Sequence, residues 1–181
     1  RSLLANRRRR ELMNMPSNEQ RALLRHIVAT LAYRAAKVLR DAPPEFGRFS
    51  GGPMRLPVQI VAHMGDLMDW AIKLVEGEYV WRALGSDDWE HEVNRFFDRL
   101  ATLDRLLASD VPLGHSPETV IQGPLADALT HVGQLALLRG VAGFPVRPES
   151  YARADITAGR VGRDQAASKL EFDGDASGRP G

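Results

Sequence analysis

Four stretches of this chain carry apolar residues at the three- and four-residue spacing of a helix, and none alternates as a strand would. Such stripes are buried only by packing helix against helix, so the expected fold is all-α, a four-helix bundle. In the first stretch, from about residue 18 to 40, Leu24, Val28, Leu31, Ala35 and Val38 form the stripe, and Ser17 with Gln20 resembles a capping box. Pro43-Pro44 stops it, and a Gly- and Pro-rich loop follows. The second starts near Pro57 and ends near Gly77, placing Ile60, His63, Leu67, Trp70 and Leu74 on one face, so that His63 points inward. The third runs from Asp87, with Glu90 three residues on, to about Asp110. Its apolar face is Val93, Phe96, Phe97, Leu100, Leu103 and Leu107.

Proline placement sets the fourth helix. Pro124 suits a first turn and would break an interior, which predicts a start at Gly123-Pro124 and a separate short turn or helix over 117–122. The helix should end at Gly143, ahead of Pro145, with Leu125, Leu129, Val132, Ala136 and Leu137 packed around a polar stripe. Beyond Arg147 the helical period is lost; an ordered arm anchored by Tyr151 and Ile156 is expected, then a Gly-, Ser- and Pro-rich tail from Asp173. The chain thus divides into a basic extension (1–16), a bundle domain (17–145) and an arm with its tail (146–181).

The sequence holds no cysteine, which removes disulfides, thiolate ligands and a cysteine nucleophile together. Its longest apolar stretch, Val58 to Val75, is interrupted by His63, Asp66, Asp69 and Lys73 and is not a membrane span. The basic N-terminal region is not followed by the apolar segment that export requires, so a cytoplasmic protein is expected. Residues 1–48 hold 11 Arg and Lys against 4 Asp and Glu, while the remainder holds 13 against 19. Arg7 to Arg10 dominate that excess; without accompanying aromatics they read as a solvated tail, and nucleic acid is not the expected partner.

Chemical content concentrates in the fourth helix, where Asp127, His131 and Gln134 share one stripe. From Leu125 to Leu138 the only charge is Asp127, among Leu, Ala and Val. A carboxylate buried there needs a metal ion, a histidinium or an arginine such as Arg139 as partner. His63 from the second helix can complete a three-ligand site with Asp127 and His131, with Gln134 as a hydrogen-bond partner that orients a ligand. The competing assignment makes His131 a core histidine bonded to Asp127, and pairs His63 with Thr130 or a backbone carbonyl. His26 is expected at a packing boundary, His91 exposed and His115 in a loop, with Trp70, Trp81 and Trp89 as core or interface aromatics.

The segment Val61-Ala62-His63-Met64, followed by His131-Val132-Gly133-Gln134-Leu135 at the end of a bundle, resembles the DinB-like superfamily over about residues 19–142. The resemblance implies an up-down-down-up bundle, commonly a homodimer. It also implies one divalent metal held by a histidine on the second helix and a His-x-x-x-His pair on the fourth. Carried onto this chain, those positions are His63, Asp127 and His131; the acid at Asp127 departs from the pattern but is a competent ligand. Zinc, nickel, iron or manganese suit such a set. By analogy the expected function is a metal-dependent S-transferase or isomerase acting on a small molecule with a low-molecular-weight thiol. The alternative is a non-catalytic dimeric bundle with a structural polar site.

Overall fold

The computed structural model describes residues 18–172; the expected Ser17 cap, the Arg7 to Arg10 run and the tail from Asp173 lie outside the described residues. Among the described residues, four long helices carry the fold: α1 (Asn18–Leu39), α2 (Pro57–Glu76), α3 (Trp89–Ala108) and α5 (Ala126–Val141), with a short α4 (Pro117–Val120) before the last. There is no strand among them; one antiparallel bridge joins Glu149 to Glu171. The protein is therefore all-α, and no helix is long and apolar enough to cross a membrane.

The expected stripes form the core. Leu24, Val28, Leu31, Ala35 and Val38 of α1 are buried, as are all six apolar residues expected of α3. On α5 the pattern holds only in part, because Leu137 is 66% exposed. Contacts between helices give their relative directions. Arg25, early in α1, grips both carboxylate oxygens of Asp104, late in α3, at 2.9 and 3.0 Å, so these two helices are antiparallel. Arg95, early in α3, bonds the Ala62 carbonyl and Asp66 in the first half of α2, so these two run together. Trp70 lies against Gly123 while the His63 ring meets that of His131, so α5 opposes α2.

Two helix boundaries differ from expectation. The third helix is capped by Asp88 rather than Asp87, its carboxylate accepting from the His91 N–H at 2.9 Å. More consequentially, Pro124 does not open a helix. Ile121–Leu125 is a π-helical turn that joins α4 to α5 without a break, with Pro124 buried inside it. Widening the turn relieves the clash between the proline ring and the carbonyl four residues back, so the proline is absorbed. Arg139 has a structural role: its guanidinium donates to the Val38 and Arg40 carbonyls at 2.8 and 2.7 Å and to that of Phe144, satisfying the end of α1.

At the far end of α2, Gly77 takes a left-handed C-cap with φ +91°. Gly114 donates to Val75 O at 2.8 Å and passes so close that a Cβ on it would stand 2.0 Å from the Gly77 Cα. The C-terminal arm folds back onto α1. The Glu149 side chain is 0% exposed and accepts from Tyr33 at 2.7 Å, Lys37 at 2.8 Å and Ser168 at 3.1 Å, while Lys37 also donates to Glu171. Tyr151 packs edge-on against Tyr33 under the Arg34 guanidinium, and Ile156 lies against the core. Val161 is a buried anchor that the weak periodicity of the arm did not disclose.

Two predictions follow from these contacts. Gly114→Ala drives a methyl into backbone and should destabilise the protein by about 2 kcal/mol or more in chemical denaturation, whereas Gly140→Ala, in open space, should not. Glu149→Gln leaves the buried Lys37 ammonium with less compensation and should cost about 3 kcal/mol. Burial opposes ionisation of Glu149, but the bonds from Lys37, Tyr33 and Ser168 outweigh it and hold the carboxyl below its ordinary range. The arm's stabilisation is therefore complete above the ordinary glutamate pKa of about 4.3 and is lost as pH falls through the depressed native value. Hydrogen-exchange protection factors across 149–172 should fall there, and should lose most of that pH dependence in Glu149→Gln, with Glu171 supplying the remainder.

Candidate metal centre

The site forms where α2 and α5 face each other. Leu56 N–H donates to the Gln59 side chain at 3.0 Å, closing the first turn of α2 and fixing the start of the helix that carries His63. On the other side, the wide turn at Ile121–Leu125 inserts an extra residue ahead of α5, which rotates the downstream stripe by about 100° relative to α4. Asp127, His131 and Gln134 follow directly on the reset helix.

The structure brings all three expected ligands together. His63 Nε2 lies 3.5 Å from one Asp127 oxygen and His131 Nε2 lies 3.4 Å from the other. One donor atom from each residue falls within 4.8 Å of the other two. Three donors at tetrahedral angles around an ion, with bonds of about 2.1 Å, sit about 3.4 Å apart. Each imidazole stands at about that separation from the carboxylate, one from each of its two oxygens. The cluster could hold a metal ion.

Protonation favours the same outcome. Burial, then the neighbouring His131 and Arg55, push the His63 imidazole below its ordinary value, against the pull of Asp127. Its ring is therefore neutral at pH 7 and presents a lone pair. Gln134 Oε1 lies 2.8 Å from His131 Nδ1. An amide oxygen accepts, so Nδ1 carries a proton and Nε2 is the nitrogen turned toward Asp127.

Asp127 departs from its expected setting. Its side chain is 47% exposed, at the floor of a cavity of about 570 Å³ instead of in a sealed core. Its partners are the two histidines; Arg139 is committed to the end of α1, and the Thr130 hydroxyl bonds Ala126 O rather than His63. The cavity wall is apolar, with Met54, Ile60, Leu137, Leu138 and Val141 beside the polar cluster.

Two contributors were not foreseen from sequence. Trp81, 46% exposed, sets its indole 5.5 Å from the His63 ring, in a ladder that continues to Trp70 and Tyr79. Its loop is clamped from below: Leu84 N–H donates to Asp66 and Ser86 N–H to the buried Glu92. Arg95 ties both carboxylates together and also holds Asp69. Arg55, just ahead of α2, lines the same cavity. Neither residue lies on a periodic stripe, so helical spacing could not have found them. Of the remaining histidines, His26 is exposed rather than packed, His91 is exposed as expected, and His115 meets Tyr79 edge-on. None joins the cluster.

Gln134→Ala should weaken divalent-metal binding by about 10- to 100-fold while leaving the fold intact, since Gln134 is exposed but orients His131. Competitive zinc titration against a chromophoric chelator measures it; an unchanged affinity would show that the amide does not orient the ring. Comparison of the chain with family models, with curated proteins and with solved structures finds no match.

Proposed function

We propose that this protein is a divalent-metal-dependent enzyme acting on a small molecule, with His63, Asp127 and His131 as the metal ligands. The observation that carries this is the convergence of two imidazoles and a carboxylate from two helices at the floor of an open cavity. Three protein ligands leave coordination positions for a water or a substrate, the pattern of catalytic rather than closed structural sites. A bound divalent ion would supply Lewis acidity, lowering the pKa of a water or thiol.

The chain's own residues supply the remainder. Gln134 orients the His131 ring, and His63 presents a neutral donor. Asp127 contributes the one negative charge of the set, so the loaded site keeps net positive charge and attracts an anionic nucleophile. The Trp81 indole shields one side of His63 from water. Because the chain has no cysteine, a thiol nucleophile would have to come from a separate molecule. A histidine on α2 with an acid-x-x-x-histidine pair on α5 supports the DinB-like resemblance, and with it S-transfer or isomerisation by a low-molecular-weight thiol.

A second possibility has its own observation. Asp127 lies within 3.5 Å of both imidazoles, so the trio can also serve as a structural polar cluster in a non-catalytic bundle. Elemental analysis of protein purified without a histidine tag, followed by a thiol-transfer screen with the identified metal, separates the two. The enzyme proposal expects about one divalent ion per chain and turnover that disappears in His131→Ala. Metal-free protein, inactive with every added divalent ion, would leave the structural cluster.

A further inference from the structure

The cavity that takes in the cluster is lined by two unlike sets of side chains: the polar His63, Asp127, His131 and Gln134, and the apolar Met54, Ile60, Leu137, Leu138 and Val141. Several of these apolar side chains stay open to solvent, with Leu137 at 66%, Val141 at 58% and Met54 at 51% exposure. A volume near 570 Å³ falls within the roughly 300–1,000 Å³ of small-ligand sites. Exposed apolar wall of this kind is costly in water unless an apolar ligand covers it.

Arg55 is the only arginine or lysine among the residues that line this cavity. It has no ion-pair partner among the described residues, in contrast to Arg25, Arg95 and Arg163, which each hold a carboxylate. The loop that carries it is packed onto the cavity rim: a Cβ at Gly51 would lie 3.5 Å from both Leu138 Cδ2 and Met54 Sδ, and Met54 N–H closes a tight turn onto Gly52 O. The guanidinium is close enough to His63 to disfavour that imidazole's charged form. An unpaired guanidinium beside an apolar wall is complementary to one kind of ligand.

We infer that the site takes a small amphiphilic anion, a carboxylate on an apolar body, with Arg55 pairing the carboxylate and the apolar wall covering the chain. Placing the reacting part of that molecule at His63, Asp127 and His131 rests on the metal-enzyme proposal; anion recognition by Arg55 does not. A fork-shaped guanidinium pairs a carboxylate through two parallel hydrogen bonds, which selects acids over neutral molecules of the same shape.

Calorimetric titration of octanoate and octanol into the full chain, metal-free and zinc-loaded, tests this. Octanoate should bind the metal-free protein, and Arg55→Gln should weaken it about tenfold or more, with octanol changed less than about twofold and Arg55→Lys, which keeps the charge but not the fork, recovering only part of the affinity. Arg55 is exposed at the end of a loop, so these variants fold, and far-UV circular dichroism and thermal unfolding measured on the same samples should be unaltered. Octanoate binding that is insensitive to Arg55→Gln, or that appears only with zinc, would place the carboxylate elsewhere and overturn the inference. So would a lack of octanoate binding, or a cavity closed by self-association in sedimentation. Failure of zinc binding alone would remove the metal-enzyme proposal and leave the octanoate result standing.

Discussion

A carboxylate shared between two imidazoles from different helices sets the position of α2 against α5. Asp127 reaches His63 on one oxygen and His131 on the other, at 3.5 and 3.4 Å, in the rotation that α5 adopts here. That rotation is produced upstream, at the π-helical turn over Ile121–Leu125. An uninterrupted α-helix from Pro117 would carry the polar stripe about 100° away from α2. Wide turns of this type recur at functional sites because they re-aim the residues that follow, and here those residues include two members of the cluster that could hold a metal ion.

The rest of the molecule holds this arrangement without entering it. Arg95 gathers Asp66, Asp69 and Glu92 at the α2–α3 seam and thereby fixes the loop that sets Trp81 against His63. Arg139 satisfies the last carbonyls of α1, and the buried Lys37–Glu149 pair closes the arm over the other face of that helix. Each of these charges is buried or half-buried with more than one partner, the condition under which burial of charge is tolerated. The candidate metal cluster differs. Its carboxylate is half exposed, and it opens to an apolar cavity instead of to a further layer of protein.

The helical stripes of α1 and α3 were legible because burial imposes a strict period, and Leu24 to Val38 and Val93 to Leu107 obey it. The ligand set was legible for the same reason, since residues four apart on α5 must share a face. Pro124 was misleading: proline propensity describes an ordinary α-turn, and a π-turn that relieves the ring clash has no distinct signature in composition. Asp127 was expected in a sealed interior because its sequence neighbours are apolar, yet those neighbours include Leu137 and Leu138, which line an open cavity. Arg55 and Trp81 come from loops, where side-chain direction follows tertiary contacts such as the Asp66–Leu84 hydrogen bond, and no local pattern encodes that.

Zinc titration of tag-free protein, comparing the native chain with Asp127→Ala, tests the shared-carboxylate geometry most directly. One zinc site per chain, lost or weakened by more than about 100-fold when the carboxylate is removed, is the predicted result. Zinc binding of equal strength without Asp127, or no binding to the native chain, would contradict the account.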